Sequence, residues 1–187
     1  MKIKAIILMA MAWVAAHAAE NMGARTEHRV TVCMEVGTHL REAVQAQALA
    51  SRIFAGIGVT IAWHTGLHGC PARSIIVGLS EITSPDVRPG ALAYALPFEG
   101  THIVVFYDRI EHHHDQTLVA PLLGHVLVHE ITHILQDICR HSDRGIMKAH
   151  WNTGDYYHMT RKPMEFEGAD IDLIYRGLAK RTAVAAQ

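Results

Sequence analysis

A single apolar segment, residues 118–138, constrains the fold of this 187-residue chain more than any other part of its sequence. Leucine and isoleucine recur in it at spacings of three and four, which predicts a helix with one buried face. This stripe marks the side of the helix that faces the core. It consists of Leu123, Leu127, Ile131, Ile134 and Ile138.

Residues 129–133 of this helix read HEITH, which matches the pattern HExxH. Histidines four residues apart lie on one helical face, so His129 and His133 can bind one metal ion. Glu130, next to the first of them, can act as a base on water at that ion. His125 extends the row but lies roughly 12 Å from His133 along the axis, so we expect it in the core or supporting the site.

A third ligand must come from beyond the helix. Zinc prefers nitrogen and sulfur ligands, and a catalytic zinc ion keeps one position open for water. Because a continuous helix would carry His141 roughly 18 Å from His129, we expect the helix to end near Ile138. The polar stretch 140–145 then folds back, with His141 as the third ligand. The alternatives that remain open are Cys139, Asp143, Glu165 and Glu167.

The rest of the chain predicts one α/β (α+β) domain with a mixed, twisted sheet and a C-terminal helix. The segment Ala91–Leu96 is short and precedes Pro97, which suits a strand at the sheet edge. His102–Tyr107 is almost wholly apolar, which favours a central strand. Further strands are predicted at 28–36, 59–63 and 73–79, and further helices at 38–56, with Thr38 as N-cap, and at 167–180, with an irregular stretch from Met147 to Met164.

The N-terminus has the features of a signal peptide. Basic residues precede an apolar stretch over residues 5–16, and residues 16–18 (AHA) resemble a cleavage site. We therefore expect residues 1–18 to be removed and 19–187 to form the mature domain, secreted or periplasmic. A retained membrane anchor is the alternative, although the stretch is short for a span. Since little sequence separates Ala19 from the first strand, we expect no N-terminal prodomain.

Cysteine content and charge set further expectations. Export makes disulfides possible, and of the three cysteines we expect Cys33 and Cys70 to pair, which leaves Cys139 without an intrachain partner. The formal net charge of −1 and the lack of a basic stripe argue against a nucleic-acid partner. We expect a monomer without stable membrane association after signal cleavage.

Three further histidines stand together in Glu111–Asp115, which reads EHHHD. Consecutive loop residues point in different directions, so these side chains do not form one preformed metal site. We expect a solvated loop here, with weak transition-metal binding at most.

The HEITH sequence, a third histidine beyond a bend, Ser142 and the Gly145–Met147 turn together resemble the catalytic region of the metzincin clan of zinc peptidases, matrixin-like members in particular. Residues 92–108 (LAYALPFEGTHIVVFYD) are similar to the matrixin edge strand, loop and following strand, so the resemblance covers most of the mature chain. A closer similarity is to exported bacterial proteins in which HExxH is followed by seven residues, then HS and GIM. The chain departs from the clan pattern at Gln136, which replaces a glycine, and at Cys139, which replaces the third histidine.

The resemblance implies a zincin-like domain that binds Zn²⁺ through His129, His133 and His141. Glu130 would be the general base in hydrolysis of a peptide or protein substrate, and Met147 would pack beneath the metal. A peptide could pair with the edge strand, although that strand could equally be a structural edge. The residues considered for substrate contact or for shaping the site are Ala93, Tyr94, Met147 and Tyr157.

Two other functions fit the same residues. One is an amidase or peptidase for cell-wall peptides, and the other is a non-catalytic zinc- or peptide-binding domain of zincin fold. Glu130 argues against the second, because a protein that only binds has no need of a base beside its ligand.

Overall fold

The computed structural model describes residues 28–112 and 115–185. In these ranges one sheet and several helices form the mixed α/β fold that the sequence predicts. The strands are β1 (His28–Glu35), β2 (Val59–Thr65), β3 (Ile75–Ser80), β4 (Ala93–Ala95) and β5 (His102–Phe106). The helices are α1 (Leu40–Ala55), α2 (Tyr107–His112), α3 (Gln116–Gln136), α4 (Thr153–Met159) and α5 (Gly168–Ala185).

The five strands form one mixed sheet in the order β2-β1-β3-β5-β4. Strands β2, β1, β3 and β5 are parallel to one another. Strand β4 is antiparallel to β5, with Tyr94 opposite Val104. The prediction of an edge strand before Pro97 is confirmed, and so is the interior position of the apolar strand that follows. The predicted signal peptide, residues 1–18, lies outside the described part of the chain.

Helix α3 is the central element of the core. Eighteen of its 21 residues are buried, and it packs against both α1 and α5. It is the one helix in the described ranges that is long and apolar enough to cross a membrane, but 89% of its most apolar window is buried inside the fold. Its composition therefore reflects a core position.

The C-terminal end of α3 places the site. The helix ends at Gln136, and Asp137 adopts a left-handed backbone conformation with φ 59°, which turns the chain back. Helix α5 crosses this end so closely that a Cβ atom on Gly177 would lie 1.6 Å from the Leu135 carbonyl oxygen. The predicted return of the chain after the helix is thus confirmed, two residues earlier than expected.

Three local predictions are corrected. Thr38 is not the N-cap of α1; His39 occupies that position and its side chain makes no capping hydrogen bond. The stretch expected to be irregular contains α4, which begins with a capping box formed by Asn152 and Asp155. Helix α2 was also not predicted. Both helices have fewer than eight residues, which is too short for apolar periodicity to show.

The predicted disulfide is confirmed. Cys33 of β1 is bonded to Cys70 in the loop before β3, at a Cα–Cα distance of 6.1 Å. This crosslink ties the loop to a buried strand and restricts the unfolded chain. Cys139 is a free, exposed thiol.

Candidate metal centre

The structure brings the three predicted histidines together. His129 and His133 extend from one turn of α3, and His141 approaches them from the segment beyond the helix. One ring nitrogen of each lies within 4.8 Å of those of the other two. The ring centroids are separated by 4.7 Å for His129 and His133, 5.3 Å for His129 and His141, and 4.9 Å for His133 and His141.

The rival ligands do not join this group. Among residues 28–112 and 115–185, no thiol or carboxylate lies within 4.8 Å of all three histidine donors. Cys139 lines the same cleft without belonging to the cluster. The remaining alternatives, Asp143, Glu165 and Glu167, are also outside it.

Hydrogen bonds determine which nitrogens of the two helical histidines are free. His129 Nδ1 donates to the Ile146 carbonyl at 2.9 Å, and His133 Nδ1 donates to the Ile138 carbonyl at 3.1 Å. A carbonyl oxygen only accepts, so the single proton of each neutral ring must be on Nδ1. Both Nε2 atoms are therefore bare lone-pair donors.

These two bare nitrogens face each other at 3.1 Å. Neither carries a proton to give, so the contact is not a hydrogen bond, and two lone pairs at this distance repel each other. Two nitrogen ligands of one tetrahedral zinc ion lie about 3.3 Å apart, given metal–nitrogen distances of about 2.0–2.1 Å. The residues present therefore fit a shared cation with nitrogen-preferring chemistry.

Burial keeps these imidazoles neutral. It lowers the pKa of His129 to about 3, with the neighbouring His133 adding to the effect, and it lowers the pKa of His133 to about 4. Burial also lowers the pKa of the more exposed His141, with a further contribution from His150. Neutral rings are the form that binds metals.

Glu130 lies in the cleft beside the three histidines and is 8% exposed. Its side chain forms no ion pair with the described residues, and burial raises its pKa to about 8. A carboxylate without a countercharge is costly to bury, which makes this position typical of a functional site.

The predicted turn around Met147 contacts α3 through a hydrogen bond to His129. The Ile146 carbonyl that accepts from His129 belongs to it, and Ser142 N donates to the Met147 carbonyl at 2.8 Å. Gly145 has a φ of 72°, and a Cβ atom there would lie 2.5 Å from the Glu165 carbonyl oxygen, so only glycine fits. Met147 itself is fully buried in the core.

The cleft has a volume of about 340 Å³ and two different walls. One is the edge strand β4 with the loop before it, including Ala93 and Tyr94. The other follows the Met147 turn and includes Trp151 and Tyr156. Tyr157, the residue predicted there, does not line the cleft; its exposed ring packs against Arg161 at 4.2 Å.

Sequence reasoning missed two features of this wall. Trp151 packs edge-on against His129, with ring centroids 5.6 Å apart, and nothing in the spacing of the motif indicated it. Lys148, which also lines the cleft, is neutralised by Asp155 at 2.5 Å. The N-cap signature of Asn152 and Asp155 could have revealed α4, the helix that carries this partner.

The prediction of a solvated loop at EHHHD is corrected in part: Glu111 and His112 form the end of α2, and Asp115 is the N-cap of α3. His113 and His114 lie outside the described residues. A comparison of the chain with protein-family models and with curated proteins finds no match. The geometry of the three histidines and Glu130 is therefore the basis for assigning a function.

Proposed function

We propose that the protein is a zinc-dependent peptidase whose metal is held by His129, His133 and His141. The observation that carries this proposal is the pair of unprotonated Nε2 atoms 3.1 Å apart, an arrangement that a shared cation would stabilise. Three imidazole nitrogens favour zinc over magnesium or calcium, which prefer oxygen ligands. A three-ligand set also leaves a coordination position for water.

When bound, such an ion lowers the pKa of water to about 7 and polarises a carbonyl group. The chain supplies the proton transfers. Glu130 takes the proton from the attacking water and passes it to the leaving amine. A dication held by the three histidines would counteract the effect of burial on the pKa of Glu130, because a nearby positive charge favours the carboxylate.

The edge strand offers a place for an extended substrate. Leu92 pairs with Phe106, and Leu96 with His102, through hydrogen bonds, so the alternating pattern turns the N–H and C=O groups of Ala93 and Ala95 away from β5. A peptide backbone can add to these groups as a further strand next to the histidines. The small side chains allow that backbone to approach closely.

We also propose that the protein acts outside the cytoplasm, as a monomer on peptide or protein substrates. The Cys33–Cys70 disulfide supports this location, because such bonds persist in secreted and periplasmic proteins and are rare in the cytosol.

The test compares wild type with Glu130→Ala for zinc content and for cleavage of casein or a peptide library. We expect one zinc per chain in both proteins and cleavage by wild type alone. Equal cleavage by the two proteins would remove Glu130 from the mechanism. Zinc without cleavage in either would favour a non-catalytic binding domain, and cleavage of cell-wall peptides only would favour the amidase.

A further inference from the structure

His141 differs from the other two histidines in how it is held. His129 and His133 each donate Nδ1–H to a carbonyl, whereas the His141 ring forms no hydrogen bond with any described residue. It belongs to residues 137–142, here called the return segment. A metal ligand usually needs a hydrogen-bonding partner that orients its ring. The position of His141 therefore depends on the contacts of the residues on either side of it.

Both neighbours of His141 are bound to one carboxylate. Arg140 Nη1 donates to Asp170 Oδ1 at 2.8 Å, and Ser142 Oγ lies 2.7 Å and 2.9 Å from the two Asp170 oxygens. Asp170 stands in the first turn of α5 and is fully buried, whereas the side chain of Arg140 is 41% exposed. The return segment thus covers an anion that α5 carries.

Gln136, the last residue of α3, also contacts Asp170. Gln136 Nε2 donates to the Asp170 carbonyl oxygen at 3.1 Å. Gln136 stands where the metzincin pattern has a glycine. In this chain the residue with the left-handed backbone conformation is Asp137. Asp170 therefore contacts the residue at the end of α3 and both residues that flank His141.

We propose that Asp170 is a positioning residue for the third metal ligand, which holds His141 in place through Arg140 and Ser142. This inference rests on the proposed metal site. A buried carboxylate requires its partners, because an unpaired charge in the interior is strongly destabilising. That requirement fixes Arg140 and Ser142 over Asp170, and the backbone between them then carries His141 toward His129 and His133.

The test measures zinc affinity by competition with a chelating dye, together with the cobalt absorption spectrum. Asp170→Asn keeps the shape of the side chain but presents an amide group to the Arg140 guanidinium. We expect it to lower affinity about 10- to 100-fold, as is typical when an outer partner of a ligand is lost. Asp108→Asn is the matched control, since Asp108 also stands in the first turn of a helix and accepts from a hydroxyl, Thr83 Oγ1, at 2.6 Å.

A double-mutant cycle shows whether Asp170 acts through His141. In a His141→Ala background, Asp170→Asn should change zinc affinity less than about twofold, because the ligand it positions is gone. An equal loss with and without His141 would overturn the inference, as would wild-type affinity in Asp170→Asn. Should Asp170→Asn not fold, Ser142→Ala in the same cycle decides between the same outcomes. Absence of zinc and cobalt binding in wild type would overturn the proposed function as well.

Discussion

His125 and the pair His129 and His133 stand in one row on α3, yet their surroundings differ in one respect. His125 Nδ1 donates to the Pro121 carbonyl at 2.7 Å, and its Nε2 accepts from Met164 N at 3.0 Å. Both of its nitrogens are satisfied by protein. The other two satisfy only Nδ1 and leave Nε2 free in the cleft.

The difference shows that helical spacing alone does not make a ligand. All three side chains are buried and all three have lowered pKa values, so burial and titration do not separate them either. What separates them is whether a protein donor reaches the second ring nitrogen. His125 joins α3 to the segment before α5, whereas His129 and His133 keep Nε2 available for the proposed metal ion.

The largest expected effect is the loss of zinc affinity when one proposed ligand is removed, and it tests the contrast between His133 and His125. His133→Ala should weaken zinc binding roughly a thousandfold, since a site worth about 10–16 kcal/mol is shared among three or four ligands. Peptide cleavage should be lost with it. A competition titration measures the affinity, and His125→Ala is the matched control. Loss of zinc from His125→Ala to the same extent would contradict the assigned roles.

Removal of the metal should also distinguish His133 from His125, through the Tm of the two variants. At free zinc about a thousandfold above Kd, the bound ion adds about 4 kcal/mol to the free energy of unfolding. Chelation should then lower the Tm of wild type by roughly 8–16 °C. His133→Ala should show almost no such shift, while His125→Gln should keep it. Calorimetry with and without chelator measures both, and an unchanged wild-type Tm would count against the site.

A smaller effect concerns pH and sharpens the role of His125. Burial lowers its pKa from 6.5 to about 4, so the folded state keeps the ring neutral. Below pH 6.5 the unfolded chain takes up a proton that the folded chain does not, and stability is lost as pH falls toward 4. In metal-free protein, the stability difference between wild type and His125→Gln should narrow by about 2 kcal/mol from pH 7 to pH 4.5. Denaturant titrations measure it, and a constant difference would show that the buried ring does not oppose protonation.

The smallest expected effect extends the comparison to the return segment. Cys139 lines the cleft but lies outside the histidine cluster, so Cys139→Ser should change zinc affinity less than about twofold. The same titration, set beside His141→Ala, measures it. A large loss in the serine variant would make the thiolate the third ligand.

The sequence predicted those parts of the fold and site that depend on local patterns. The periodicity of residues 118–138 was enough to identify α3, and HExxH was enough to indicate His129, Glu130 and His133 as candidate site residues. The satisfied state of His125 depends on Met164, 39 residues away, and no spacing rule connects the two. The approach of His141 was predicted only from the need to close the site; its physical cause lies in Asp137 and Asp170, and neither forms part of the motif.

The central claim is that the bare nitrogens of the three histidines share one ion. Anomalous diffraction at the zinc edge, from crystals grown without added metal and after a zinc soak, tests it most directly. The account predicts one anomalous peak about 2.0–2.1 Å from a ring nitrogen of His129, His133 and His141, with Glu130 beside the open position. Soaked crystals without that peak, or a peak held by Cys139 in place of His141, would contradict it.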